Sequence, residues 1–326
     1  MTVNKLCSLL VLACATVAGS AQAQTWPARP VTMIMPFPAG GPSDALGRAV
    51  ANKLGSVLGT TVVVENVGGA GGSIGLQKLA RAPADGYTIG FGGIGTHGAN
   101  MIMYRKPLYD AVKDHEPLGQ VGSAPMMLLV KKDLPVADFK QFVDYVRTHK
   151  STMSYGSAGV GSISHLGCLL LLSSMQVDVM HVPYKGVAPA MTGLMGGETD
   201  FMCDQTTTAI AQINGGRIKP IAMLTKEPFK GLPNVATAQS SGLVQIDVRS
   251  WNALFAPKGT PAAIVQKLND AINTALADKD LIKQMTEVGV EFPSRENNTP
   301  ANLAALVSGE IARLRPILEA KNVYID

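Results

Sequence analysis

Charge is sparse in this chain and nowhere clustered. Asp, Glu, Lys and Arg make up 16% of the 326 residues, and the formal net charge is only +4. With no basic run there is no electrostatic footprint for nucleic acid, and none is expected as a partner. Long apolar runs are missing too: past the N-terminal segment, no stretch approaches the ~20 apolar residues that span a bilayer. None of the five histidines (His97, His115, His149, His165, His181) forms an i, i+4 pair with another, and none has an acidic residue at ligand spacing. His165 and Cys168 lie one helical turn apart, but no second half-site accompanies them, so no metal is expected. Repeats and low-complexity tracts are lacking, which removes solenoid architectures.

Cysteine is rare as well, with four in the chain, two of them in a segment expected to be removed. Lys5 is the sole charge before the apolar run Leu6 to Ala18, and Ala21-Gln22-Ala23 supplies a small-residue cleavage site. Residues 1–23 therefore read as a secretory signal, with the mature chain starting at Gln24. A lipoprotein reading of Val11-Leu12-Ala13-Cys14 leaves an apolar core of only Leu6 to Ala13 and is disfavoured. The product is expected to be exported and soluble. Cleavage removes Lys5 and no acid, so +4 becomes +3. Cys7 and Cys14 leave with the signal, whereas Cys168 and Cys203 stay. These two either form one disulfide or act as buried small apolar residues; an oxidising compartment favours the bond.

What is present is a long alternation of strand and helix signals. Strands are expected at Val31 to Met35, Thr61 to Glu65, Tyr87 to Phe91, Met126 to Val130, Ser154-Tyr155, Asp178 to Val182, Asp200 to Cys203, Ile218 to Leu224 and Trp251 to Ala256. Helices are expected at Ala45 to Leu54, Ser73 to Arg81, Asp138 to His149, Ser164 to Ser174, Pro189 to Met195, Thr208 to Gly215, Ala262 to Ala277 and Pro300 to Leu318. This is an α/β pattern with parallel sheet. Roughly 300 mature residues exceed one comfortable core, so two domains are expected.

The stretch Pro36-Phe37-Pro38-Ala39-Gly40-Gly41-Pro42-Ser43-Asp44 carries the most chemistry. It runs from the end of a buried strand into a helix, with Ser43 and Asp44 as candidate caps. A Gly-rich turn at a helix N-terminus presents unpaired N–H groups and a positive dipole end to an anion. The loop holds no Lys or Arg, which suits a carboxylate better than a polyphosphate. A second loop of this kind, Tyr155 to Leu166, follows another strand about 120 residues on. A third, His181 to Pro189, has Lys185 at its turn. Ligands of α/β sheets bind beyond the carboxyl ends of strands. One such loop per domain, facing each other, would grip a ligand from both sides.

Two catalytic-looking motifs are weak. Gly90-Phe91-Gly92-Gly93-Ile94-Gly95 fits G-x-G-x-x-G, but Thr96-His97-Gly98-Ala99-Asn100 is a poor helix opening and no acidic strand end follows, so no dinucleotide or other cofactor is expected. Gly71-Gly72-Ser73-Ile74-Gly75 fits G-x-S-x-G, yet the strand ends several residues earlier near Asn66. Ser73 therefore reads as a helix cap rather than a nucleophile.

At these loops the chain resembles the Bug-type receptors, the extracytoplasmic solute-binding proteins of tripartite tricarboxylate transporters. The matching motifs are Pro-Phe-x-x-Gly-Gly-x-x-Asp from Pro36, Val64 to Gly75, His181-Val182-Pro183-Tyr184-Lys185-Gly186, Gly196-Gly197-Glu198-Thr199-Asp200, and Ala256-Pro257-Lys258-Gly259-Thr260-Pro261. They run in family order across nearly the whole mature chain. One departure is Asn66-Val67, where the family usually follows the Asn with other residues. The resemblance implies a type II periplasmic-binding-protein fold, with two α/β domains and a ligand cleft between them. Domain 1 would comprise residues 24–120 and 250–326, and domain 2 residues 121–249. Crossing segments would be Pro117 to Val130 and Ile246 to Phe255. It further implies a periplasmic monomer that binds a small carboxylate and serves the membrane subunits of the transporter. The site residues carried over are Phe37, Ala39, Gly40 and Ser43, then Ser157, Ala158, Gly159 and Ser162. Thr96 and Asp204 sit at strand ends that usually line the cleft; Asp204 either meets a ligand amine or hydroxyl, or caps Thr207. Two further readings stay open: a secreted hydrolase built on Ser73, and a sensor signalling through a membrane partner.

Overall fold

Apolar, β-branched Val31–Met35 (β1) is almost wholly buried and starts a mixed sheet. The computed structural model describes residues 26–320 and 324; the expected signal and its cleavage site lie outside them. In chain order β1 is followed by Pro42–Leu58 (α1), Val62–Asn66 (β2), Ser73–Ala80 (α2), Thr88–Gly93 (β3), Asn100–Met103 (α3), His115–Lys131 (β4) and Phe139–His149 (α4). Then come Ser154–Ser157 (β5), Ile163–Ser174 (α5), Met180–Pro183 (β6), Val187–Gly196 (α6), Phe201–Gln205 (β7), Thr206–Asn214 (α7) and Ile218–Met223 (β8). Arg249–Pro257 (β9), Ala262–Leu276 (α8), Lys279–Glu287 (α9) and Pro300–Ala320 (α10) complete the chain.

The strands lie in the order β2-β1-β3-β9-β4-β7-β5-β6, with β8 also on β4. β1 pairs in parallel with β2 and β3, and β5 with β6 and β7, so each half is a small parallel sheet. β4 joins them. Its residues His115–Pro125 pair antiparallel with β9, and Met126–Lys131 pair with β7 and β8. At the switch, Met126 N–H donates to Val248 O (3.3 Å), Val248 N–H to Leu224 O (2.7 Å) and Leu224 N–H to Met126 O (2.8 Å). Residues 117–130 lie within β4, and β9 begins at Arg249. Apolar clusters fill both faces of the sheet; α4, for example, buries Phe139, Phe142, Val143 and Val146, the stripe its spacing predicts.

Local expectations fail in instructive places. Residues 95–99 form a wide helical turn leading into α3, although Gly-Thr-His-Gly is a poor helix sequence. Burial overrides propensity there, because His97 stacks on Phe255 at 3.6 Å and Tyr109 Oη donates to Thr96 O. α9 was not expected: it buries only Leu281 and Met285, too narrow a stripe to read, and Asp278 caps it by accepting from Asp280 and Leu281 N–H. Ser43, Asp44 and Ser73 are not caps. Gly41 and Gly72 occupy those positions, neither with a side-chain cap.

Cys168 on α5 and Cys203 on β7 are joined by a disulfide, with Cα atoms 5.2 Å apart and both residues fully buried. A link closing a separation of 35 residues restrains the unfolded chain by about 4 kcal/mol in the loop-entropy model. The double variant Cys168→Ala/Cys203→Ala should therefore lose about 2–4 kcal/mol in urea unfolding. Mass spectrometry of unreduced protein should give one cross-linked peptide pair; two freely alkylated thiols would contradict the bond.

Candidate functional site

Beyond Met35 the chain turns through Pro36–Gly41 into α1. Pro42 opens the helix, where a missing N–H costs nothing. Asp44 anchors the turn: it accepts from Gly40 N–H at 3.0 Å, Asn66 Nδ2 at 2.9 Å and Arg48 Nε at 3.0 Å. Asn66 also donates to Phe37 O at 2.9 Å, which gives the Asn at the end of β2 a structural task. Burial pushes the Asp44 carboxyl up, but the bonds from Arg48, Asn66 and Gly40 outweigh it and hold it below the usual range. The Gly40 amide is thus committed to Asp44. Gly40 sits at φ +88° with open space around its Cα, so the position needs glycine for backbone shape rather than for room. Ala39 and Gly40 are exposed at the tip, while Ser43 is buried at the helix start. The Ser43 hydroxyl and the Ser43 and Asp44 amides have no partner among the described residues.

The second loop, between β5 and α5, is internally bonded to a greater degree. Ala158 N–H donates to Ser164 Oγ (2.8 Å), Gly159 N–H to Ser157 Oγ (3.1 Å), and Gly161 N–H to His165 Nδ1 (3.2 Å). Ser162 caps α5 by accepting from His165 N–H at 3.3 Å. Beneath the loop, His181 Nε2 lies 2.6 Å from Ser157 Oγ, and the His165 and His181 rings stack at 4.1 Å. Among the described residues, the amides left without partners here are those of Val160 in the loop and of Ile163 and Ser164 in the first turn of α5.

The two loops face each other across the seam, and glycine sets the approach. A Cβ on Gly71 would lie 2.5 Å from Val160 O, one on Gly95 3.1 Å from Gly161 O, and one on Gly186 3.2 Å from Pro38 Cγ. Between them remains a cavity of ≈ 20 Å³, room for about one water, walled by Phe37, Ser43, Gly92 to Thr96, Ile163, and Ser250 to Asn252. The N-termini of α1 and α5 both open onto it, so two positive dipole ends and their free amides converge. No Lys, Arg or His is in the wall. A larger hollow of ≈ 820 Å³ lies beside Phe229 and Gly289, where the nearby Arg249 is already paired with Glu291 at 3.0 Å.

Asp204, next to last in β7, is fully buried; its Oδ2 accepts from Thr208 Oγ1 at 2.5 Å rather than from Thr207, and its Oδ1 has no partner among the described residues. Burial raises its carboxyl to about 6, against the lowering bonds from Thr208 and Gln205 N–H. Ser73 is buried and accepts from Asn100 Nδ2 at 3.1 Å. Tyr104 and Tyr109 also engage its hydroxyl, and among the described residues it pairs with no histidine or acid, the groups that would activate a serine nucleophile. Sequence spacing did not reveal that the histidines pair in space: His97 Nε2 lies 3.1 Å from His115 Nδ1, and His165 stacks on His181. Partners 18 and 16 residues apart in sequence share no helical or strand period. His165 and His97 lie beside the loops, and each is turned to protein partners.

Burial holds His165 at about 3, with a further push from His181, and His181 and His115 at about 4; His97 is also well below its ordinary value. A depressed histidine contributes stability that is complete above about 6.5 and is lost as pH falls toward the folded value. Asp204, raised, opposes this between its ordinary value of 3.8 and about 6. Four imidazoles against one carboxyl decide the sign. Stability should fall from pH 6.5 to 4, and His165→Gln should flatten that slope by on the order of 3 kcal/mol; circular-dichroism melts across the range check it.

The comparisons agree with this architecture. The model for the tripartite tricarboxylate transporter family receptor (TctC) matches residues 46–323. MatC from Rhodopseudomonas palustris, solved with bound malate, is 37% identical, with 90% of this chain and 100% of that one covered and a TM-score of 0.87. The periplasmic binding protein BugD is 37% identical over 92% of this chain and 99% of its own, again at TM-score 0.87. An R. palustris protein solved with adipate is 32% identical over 90% and 97%, at TM-score 0.86. The chain has the type II periplasmic-binding-protein fold and belongs to the family of tripartite tricarboxylate transporter receptors, TctC.

Proposed function

We propose that the protein is a periplasmic receptor that closes on a small carboxylate and delivers it to the membrane subunits of a tripartite tricarboxylate transporter. It acts as a monomer, after loss of its signal following Ala23. The lobes are residues 24–120 with 250–326, and 121–249, moving about the β4–β9 seam. The convergence of two helix N-termini with free amides on one uncharged cavity carries this reading. Such a site supplies N–H and O–H donors and fixed dipoles to one carboxylate without a competing basic side chain. The malate and adipate of the two relatives are of the matching chemical class. Phe37, Ser43 and Thr96 contact the ligand from the first lobe, with Ala39 and Gly40 at the rim. Ser157, Ala158, Gly159 and Ser162 hold the second loop in place against it, and Asp204 meets a polar group of the ligand at the end of β7. Closure is driven only by what the ligand gains in the shut state.

A thermal-shift panel of mono-, di- and tricarboxylates tests the class: an acid at 100 times its Kd adds about 2.7 kcal/mol of stability. If none raises Tm, the reading fails. For the best-bound acid, Ser43→Ala should cost about 1.5–3 kcal/mol of affinity, the worth of one hydrogen bond to a charged group. Gly95 has an ordinary φ, so a side chain there strains nothing locally but meets Gly161 O and Ile163 N across the cleft. Gly95→Val should weaken binding about tenfold or more, as an overpacked contact would, while the ligand-free melt stays close to wild type. Undiminished binding by calorimetry would mean that the lobes do not close to this distance.

A further inference from the structure

Thr96 stands in the cavity wall in the helical turn that follows β3, and its hydroxyl begins a chain of hydrogen bonds that runs inward. Thr96 Oγ1 is 3.0 Å from His97 Nδ1, His97 Nε2 is 3.1 Å from His115 Nδ1, and His115 Nε2 is 3.1 Å from Leu76 O. The far end sets the polarity of every link. Leu76 O can only accept, so His115 Nε2 carries the proton. His115 and His97 are nearly or wholly buried, and desolvation keeps both neutral, so each ring has one N–H. The His115 proton is on Nε2, and its Nδ1 therefore accepts. His97 must donate from Nε2, which leaves its Nδ1 as an acceptor for the Thr96 hydroxyl. Gly93 O, at 3.2 Å, is the other acceptor within reach of that hydroxyl. Choosing it would leave His97 Nδ1 buried with no donor, the costlier arrangement. Thr96 Oγ1 meanwhile accepts from Gly93 N–H at 3.0 Å. Its proton and one lone pair are spent on protein, and one lone pair remains.

We propose that Thr96 is a specificity-determining residue that offers the cavity an acceptor only, so that the cognate carboxylate must carry a hydroxyl or ammonium donor beside its acid group. This rests on the carboxylate reading above and narrows it. The first lobe then treats the two ends of such a ligand oppositely. Ser43 and the α1 amides donate to the carboxylate, and Thr96 accepts from the neighbouring substituent. An unsubstituted acid would face the Thr96 lone pair with a methylene group. His97 and His115 are positioning residues, whose role is to orient that hydroxyl.

Calorimetry with matched acids tests the inference on the intact mature protein: succinate against malate and aspartate, propionate against lactate and alanine. The donor-bearing member of the better-bound set should bind about tenfold more tightly, the scale of one hydrogen bond. Preference for malate or lactate identifies a hydroxyl donor, and preference for aspartate or alanine an ammonium. Thr96→Val should erase the preference and Thr96→Ser should keep it. Equal binding of substituted and unsubstituted acids, or a preference that survives Thr96→Val, overturns the role of Thr96. Binding of no acid at all removes the carboxylate reading and this inference with it. Nitrogen-15 histidine spectra of the ligand-free protein give a check independent of any ligand and any variant. Both His97 and His115 should be Nε2–H tautomers at neutral pH, and a proton on His97 Nδ1 overturns the assignment.

Discussion

One strand is hydrogen-bonded into both halves of this molecule, and the position of every cleft residue follows from that constraint. β4 runs unbroken through 17 residues, laddered to β9 over its first part and to β7 and β8 over its last. A one-residue slip would invert the buried and exposed sets of both sheets at once. The register is therefore held from two sides. The carboxyl ends of β1 and β3 are thereby brought opposite those of β5 and β6, and the Gly-rich turns meet.

The electrostatic design of the cleft is one of neutrality backed by dipoles. Asp44, the ionised group nearest the first loop, is consumed in holding that loop, and Arg48 is consumed with it. The histidines behind both loops are kept uncharged by burial. What faces the cavity is a set of hydroxyls, amides and helix ends. Such groups stay fixed when a ligand arrives, so little reorganisation opposes binding.

Much of the fold was legible because its strands are apolar runs separated by Gly-rich turns, and because the long helices carry a 3.6-residue stripe. The two loops were legible for the same reason, with Ser43 in the first and Ser162 in the second. The sequence was silent where tertiary contact decides. It did not show that the Gly40 amide is already taken by Asp44, that residues 95–99 form a wide helical turn against Phe255, or that α9 exists on two buried side chains. The paired imidazoles were the largest omission. His97 and His115 come from different elements, and only the fold brings His115 Nε2 to a helix carbonyl whose sole role as acceptor propagates through two rings.

Glycine at the meeting points of the lobes bears on kinetics as well as shape. Gly71, Gly95, Gly161 and Gly186 bring backbone within reach of the opposite lobe without inserting a side chain. Closing such a surface freezes no rotamers and interlocks no knobs, so the contact itself has little to lose in side-chain entropy and little to unpick on separation. A receptor built this way holds its lobes together mainly through whatever lies between them. Under the proposed closure, residence time is a property of the captured molecule rather than of a latch, and emptying the cleft is enough to let it fall open.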